Sequence, residues 1–385
     1  MSKGANTKQE KIVLVVGMPD SIHLARWLSQ FRDSKITFLI FPSSPARRIR
    51  PELRQLIDSA TTGKFRLVGF PIWMALPLWT ADKFLSSRLR GFLLRKCIVR
   101  YQPQYLHSIE IQGAGYILLR ALRDIPESAR PARIIVTNWG SDIFWFRQFP
   151  AHRKKIRLLL SLASDYSAEC ARDVELAREL GFTGNVFPVF PNSGGLPEEL
   201  FRTPLKPAAE REIILVKGYQ GWVGRAVIAL KALEGLSENL ADFQIVVYSA
   251  NVRTLLEVWR IRIQSGLRIL VYRKGALSHG EMMALFCSSK LHVGLSLSDA
   301  ISTAVLESFA SGAIPVQTST ACVSEWFDGG GVSVDELSVD AVRVAICRGL
   351  RLAEAGPQVL ERNRELVRLR ASESLVKRAS SLFYQ

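Results

Sequence analysis

The chain has 385 residues, 48 % hydrophobic and 22 % charged, the make-up of a globular protein of about two domains, which excludes intrinsic disorder. Its 51 basic and 35 acidic residues leave a net charge of +16, so an anionic partner is expected: nucleic acid, a membrane surface or a phosphorylated small molecule. The excess is uneven, with 29 basic and 17 acidic residues up to position 200 (+12) against 22 and 18 beyond it (+4).

The polar start MSKGANTKQEK leads straight into a strand and predicts no signal peptide. Ile12 to Val16 is a continuous apolar run of the kind buried on both faces of a parallel sheet. After the turn Gly17-Met18-Pro19-Asp20, Ser21 caps an amphipathic helix whose apolar face is Leu24, Trp27, Leu28 and Phe31. Strands at Ile36–Phe41, Tyr105–His107, Ile134–Val136 and Val186–Phe187 alternate with helical patterns at 113–123, 152–163 and 170–180. A Pro- and Gly-rich stretch from Pro188 to Pro207 reads as a linker. Beyond it the alternation restarts, with strands at 213–216, 245–248, 269–271, 291–295 and 314–316 and helices between them. Two doubly wound α/β domains follow, at 1–195 and 196–385, with the last helix free to pack back on the first domain. No run of apolar residues reaches the roughly 18 that a membrane-spanning helix needs. The cysteines at 97, 170, 287, 322 and 347 are single and odd in number, as expected of reduced thiols in a cytosolic protein.

The densest pattern is SLSDAISTAVLESFASGAIPV at 296–316. Asp299 lies just before a helix and Glu307 two turns into it, about 12 Å away, too far to share a proton or clamp one metal. Such a pair can hold the two ends of an extended ligand. Ser302 and Thr303, at the helix start between them, offer backbone N–H groups and the positive dipole end to a diphosphate. The plainer alternative is that Asp299 caps the helix and Glu307 is solvated. This segment resembles the Glu-x7-Glu region of the retaining glycosyltransferases of family four, which have the GT-B fold. Asp299 takes the first acidic position, one methylene shorter, and Glu307 the second; Ala300-Ile301-Ser302 replaces the usual Gly-Phe-Gly.

The resemblance implies two Rossmann-like domains facing across a cleft, the first for acceptor and the second for a nucleotide-sugar donor. In LVKGYQGWVGR at 215–225 it implies Lys217, Gly218 and Arg225 on the donor diphosphate, with Ser302 and Thr303 beside them. Glu307 would hold the ribose and Asp299 the sugar. No cofactor is implied, the nucleotide sugar being a co-substrate. The five histidines show no ligand spacing and no Asp-x-Asp occurs, so no metal is expected. In the first domain, Gly17 and His23 are acceptor candidates, His-x-x-Arg-Trp being similar to a subgroup of these enzymes; a surface histidine is the alternative. In Thr137-Asn138-Trp139-Gly140-Ser141-Asp142, Trp139 stands where relatives carry a histidine near the reacting sugar. An indole is no base, but in front-face retaining chemistry the leaving diphosphate takes the acceptor proton. Asp142 is the catalytic candidate there, for acceptor orientation or charge stabilisation; His107 and Glu110 are further acceptor candidates.

Residues 67–79 are apolar, Trp-rich and broken by two prolines. From Lys83 to Arg100 there are six basic residues and no acid, interleaved with Phe84, Leu85, Leu89, Phe92, Leu93, Leu94, Ile98 and Val99. A basic amphipathic helix of this kind predicts an interfacial anchor on an anionic inner leaflet through 67–100; a helix packed on the sheet with a solvated basic face is the alternative. Nucleic acid is set aside, because the cations sit beside apolar residues and no binding motif occurs. The expectation is a cytoplasmic, peripheral glycosyltransferase building a lipid-linked surface glycan. A catalytically silent nucleotide-sugar-binding partner in a glycan-assembly complex is the alternative.

Overall fold

A computed structural model of the protein describes residues 11–59, 64–85, 88–192 and 194–385. The polar start on which the leader-free expectation rests lies outside them. The chain forms two compact units, one running to Gly194 and taking in Val376–Gln385, the other Gly195–Leu375.

The first unit contains, in chain order, β1 (Lys11–Gly17), α1 (Ile22–Ser29), β2 (Ile36–Pro42), α2 (Pro51–Asp58), β3 (Phe65–Leu67), α3 (Ala75–Leu85) and α4 (Arg88–Tyr101). There follow β4 (Tyr105–Ile109), a π-turn at Ile111–Gly115, α5 (Tyr116–Arg123), β5 (Arg133–Thr137), α6 (Pro150–Leu162), β6 (Asp165–Ser167), α7 (Ala171–Glu179) and β7 (Asn185–Val186). The strands make one parallel sheet in the order β3-β2-β1-β4-β5-β6-β7. Because strand side chains alternate, Leu14 and Val16 enter the core on one face with Leu39, Leu106 and Val136. Val13 and Val15 enter the other with Phe38, Ile40 and Ile135. That is why β1 is apolar at every interior position.

The second unit holds α8 (Glu198–Arg202), β8 (Ile213–Lys217), α9 (Ala226–Glu234), β9 (Gln244–Ala250), α10 (Val252–Ser265), β10 (Ile269–Arg273), α11 (His279–Ser288) and β11 (Ser289–Gly294). It continues with α12 (Thr303–Ser311), β12 (Ile314–Thr318), β13 (Val332–Val334), α13 (Val339–Glu354) and α14 (Pro357–Ala371). The chain ends with α15 (Glu373–Ser380). The strands again run parallel, in the order β10-β9-β8-β11-β12-β13.

From Val376 onward the chain counts with the first unit, and its last side chains are built into that core. The Phe383 ring stacks on Phe187 with centroids 3.8 Å apart and meets Trp27 edge-on at 4.6 Å. Tyr384 is also buried there.

The structure differs from the sequence expectation in several places. The basic segment is not one helix: α3 and α4 meet around Asp82, which draws Arg90 inward. The Arg90 guanidinium bonds the Asp82 carboxylate at 2.6 Å and the Ser43 carbonyl at 2.6 Å, so Arg90 belongs to the interior. The short strands β3, β6 and β13 and the helix α2 also enlarge the expected pattern. All five cysteines are free, and among the described residues no helix is long and apolar enough to cross a membrane.

Candidate functional site

In an open parallel sheet, ligands bind outside the carboxyl ends of the strands where the strand order reverses. In the second unit that point lies between β8 and β11. Two loops meet there, 218–225 after β8 and 295–302 after β11. They are sewn together: Arg225 N donates to the Leu295 carbonyl at 3.0 Å, Leu297 N to the Val223 carbonyl at 2.9 Å, and Gly224 bridges Ser296. The first loop needs its glycines for lack of space. A Cβ on Gly218 would sit 2.8 Å from the Tyr248 carbonyl oxygen, and one on Gly224 would sit 2.0 Å from that of Tyr219.

Lys217, at the end of β8, reaches Ser302, the residue before α12, with Nζ 3.4 Å from Oγ. A cation, a glycine-rich turn and a helix start thus converge, the combination that suits phosphate oxygens. Arg225 is only partly available, because its Nη1 donates to the carbonyls of Gly221 at 2.6 Å and Gly224 at 2.9 Å. Beneath Lys217 lies His292, fully engulfed and bonded through Nε2 to the Tyr248 hydroxyl at 3.0 Å. Burial, with the Lys217 charge adding to it, pushes the His292 pKa down to about 3. The nearby Glu307 carboxylate adds to the burial that raises Tyr248.

Glu307 lies one face of α12 along from Thr303, its side chain mostly enclosed, and its Oε1 stands 3.9 Å from Nδ1 of His279 at the start of α11. His279 carries no signal of this in the sequence beyond the Ser278–Glu281 capping box that fixes its helix start. Asp299 is half-buried; its Oδ1 accepts from Ala300 N at 3.0 Å, and its own N–H faces the Thr320 carbonyl at 3.5 Å. The segment is held to the end of β12, where the Thr318 and Thr320 hydroxyls donate to the Ser296 carbonyl at 2.6 and 2.9 Å.

In the first unit the order reverses between β1 and β4. Gly17 ends β1, and a Cβ there would press on Leu24 at 3.2 Å. Ser21 caps α1 by accepting from His23 N at 3.2 Å. His23 and Trp139, far apart in sequence, meet edge to face with centroids 5.5 Å apart. Asp142 organises this corner: its Oδ2 accepts from Ile111 N at 2.9 Å and Trp139 N at 3.0 Å. Burial, with the charge of Glu110, holds its carboxyl well above the usual carboxylate range. Asp142 thus positions Trp139 and the π-turn through its Oδ2.

Two other candidates of the first unit are turned into the interior. His107 does not reach toward a ligand: its Nδ1 meets the Tyr384 hydroxyl and its Nε2 the Thr137 hydroxyl, both at 2.7 Å, and the ring is 0 % exposed. Desolvation pushes its pKa down to about 3. Glu110 is likewise turned inward, its carboxylate accepting from Gly113 N at 2.7 Å and from Ala114 N. It sits at φ 80°, a left-handed conformation costly for any residue but glycine, and the paired N–H groups hold it there. Its pKa is raised by burial.

Away from this corner, α3 and α4 leave a hydrophobic, basic surface. Trp73 is 70 % and Phe84 89 % exposed, with Leu85, Leu89, Phe92 and Val99 also open. Lys83 lies over the Trp79 ring at 3.9 Å and Lys96 over Phe92 at 4.6 Å, so the cations stand among the apolar side chains.

No protein-family model matches the sequence, and no curated protein matches it. Solved structures match along nearly the whole chain. A glycosyltransferase from Rickettsia africae gives a TM-score of 0.67 at 14 % identity, over 98 % of each chain. Anabaena HepE, solved in complex with UDP and glucose, gives 0.66 at 12 %, over 96 % of this chain and 98 % of its own. The sucrose-phosphate synthase of Thermosynechococcus elongatus gives 0.69 at 12 %, over 97 % of this chain and 98 % of its own. Likeness at these identities establishes the fold, which is GT-B.

Proposed function

We propose that this GT-B protein is a glycosyltransferase that moves a sugar from a nucleotide-sugar donor to a growing, lipid-linked surface glycan, retaining configuration and using no metal. The observation that carries the reading is the convergence at the β8/β11 switch point of Lys217, the 218–225 loop, the start of α12 and Glu307. Lys217 neutralises the diphosphate, with Ser302, Thr303 and the N–H groups of the α12 start binding its oxygens. Arg225 shapes the loop and adds positive charge. Glu307 accepts the ribose hydroxyls, and Asp299, on the segment pinned to β12, takes the sugar.

Stabilising the departing diphosphate lowers the barrier where charge develops, and the diphosphate oxygen itself takes the acceptor proton. No protein base is then required, which fits an indole at position 139. Gly17, His23 and Trp139 form the acceptor corner, held by Asp142 and Glu110. The α3/α4 surface lies on the anionic inner leaflet of the plasma membrane, where a lipid-linked acceptor is presented. One observation favours a second reading: Trp139 packs on His23 where relatives have a histidine, as a silent donor-binding partner would allow.

Purified protein is expected to bind one of the uridine, guanosine or adenosine diphosphates and, with the matching nucleotide sugar and a lipid-linked acceptor, to turn over. Glu307→Ala abolishes that turnover. Failure to bind any nucleoside diphosphate refutes the donor site; donor binding without turnover across a broad acceptor panel establishes the silent partner.

A further inference from the structure

The helix α10 of the second unit is apolar on two opposite sides. Thr254, Val258 and Ile261 are buried against the sheet. Val252, Leu256, Trp259 and Ile263 point the other way, each between 63 and 70 % exposed. At about 100° per residue these four fall within roughly 60° of arc, opposite the buried side. Arg253 and Arg260 flank the row on one side and Arg262 on the other. Between 251 and 275 the chain has six basic residues and one acid, Glu257, which is spent on Arg260 at 2.7 Å.

We infer that this face of α10 lies on an anionic lipid surface, with the apolar row at the acyl boundary and Arg253, Arg262, Arg268, Arg273 and Lys274 at the headgroup phosphates. A second copy of the chain is a poorer occupant. A helix of 14 residues is about 21 Å long, and its outer row covers a few hundred Å2 against the roughly 800 Å2 per partner of a stable interface. Self-pairing would also set arginine against arginine. A ridge with a central tryptophan and arginines on both flanks suits a flat interface, where the guanidinium groups reach outward as the aliphatic stems bury.

The contact has a mechanical consequence. Thr254 Oγ1 donates to the Gly218 carbonyl at 2.6 Å, and the Asn251 amide donates to the Gln220 carbonyl. The start of α10 is thereby fastened to the glycine-rich loop, so a lipid surface under α10 orients that loop. This inference concerns the second unit and does not rest on the surface proposed for residues 67–100.

The test is co-sedimentation of the full chain with vesicles of phosphatidylcholine alone and of phosphatidylcholine mixed equally with phosphatidylglycerol. Wild type is expected on the mixed vesicles. Leu256→Asp combined with Ile263→Asp lowers the partition constant about thirtyfold, with Tm and nucleoside diphosphate binding unchanged, because two largely exposed aliphatic side chains no longer bury. Quenching of tryptophan emission by brominated lipid should fall in Trp259→Phe. Phe84→Ser with Phe92→Ser, measured in parallel, reports the other surface. Several outcomes overturn the inference: undiminished binding of the α10 variant, a wild type that binds no anionic vesicle, or unchanged quenching in Trp259→Phe. A wild-type dimer that the α10 variant dissociates without losing vesicle binding also overturns it, in favour of a second copy.

Discussion

Removing the Lys217 charge separates a phosphate-binding role from a structural one. Among the described residues the ammonium makes a single hydrogen bond, at 3.4 Å to Ser302, so Lys217→Ala sacrifices little of the fold. A charged hydrogen bond to a ligand contributes about 1.5–3 kcal/mol, which is a loss of roughly ten- to 150-fold in affinity for a nucleoside diphosphate. The uncharged nucleoside lacks the partner that Lys217 serves, and its affinity should hardly move. The assay is calorimetric titration of wild type and Lys217→Ala with nucleoside, monophosphate and diphosphate of whichever base binds. The expected signature is a shrinking advantage of diphosphate over nucleoside, steeper at low salt, where exposed charges interact over a longer range. An unchanged advantage, or an equal fall for nucleoside and diphosphate, would refute the assignment of Lys217 to the phosphates.

Two further outcomes concern the scaffold. Phe383→Ala removes a wholly buried ring stacked on Phe187 and should destabilise the first unit by about 3–5 kcal/mol in urea, while nucleotide binding by the second unit persists. A variant as stable as wild type would show that the terminal segment is only draped on the core. The second outcome is acid sensitivity. His107 and His292 are held neutral, with pKa values near 3 against an ordinary 6.5. The unfolded chain therefore binds protons that the folded one refuses, and stability falls as pH drops from 6.5 towards 3. The slope is about 1.4 kcal/mol per pH unit for each histidine. Glu110 and Asp142, whose pKa values are raised, act in the opposite sense, contributing at low pH and fading as pH rises through their folded values. Urea unfolding at several pH values between neutrality and 5 should show a shallower dependence in His292→Phe; an identical slope would exclude His292 as a source.

The two-unit, parallel-sheet plan was readable because β1, β8 and their partners are buried on both faces and so are written as unbroken apolar runs. The strands that escaped notice, β3, β6 and β13, have three residues each, too short for periodicity to register. In the second unit the meeting of Lys217 with the α12 start follows from topology, which brings the loops after β8 and β11 together. In the first unit position was legible but direction was not. His107 and Glu110 do stand near the end of β4. Which way they face depends on Tyr384, Thr137 and the N–H groups of a π-turn, and no local pattern announces those partners. Asp82 hid in the same way, just outside a segment defined by its lack of acids, and the fold used it to pull Arg90 inside.

Because residues 376–385 belong to the first unit, the 181 residues Gly195–Leu375 form an insertion in its chain. At about 5–20 residues per second, a ribosome spends roughly 10–40 s making that insertion after Gly194 has been joined. Throughout that interval Trp27, Phe187 and His107 have no Phe383 or Tyr384 to close over them. The second unit is continuous in sequence and can complete its own sheet in the meantime. The half of the molecule that is made first is thus the half finished last, and a chain released early would carry an intact second unit and an open aromatic core in the first.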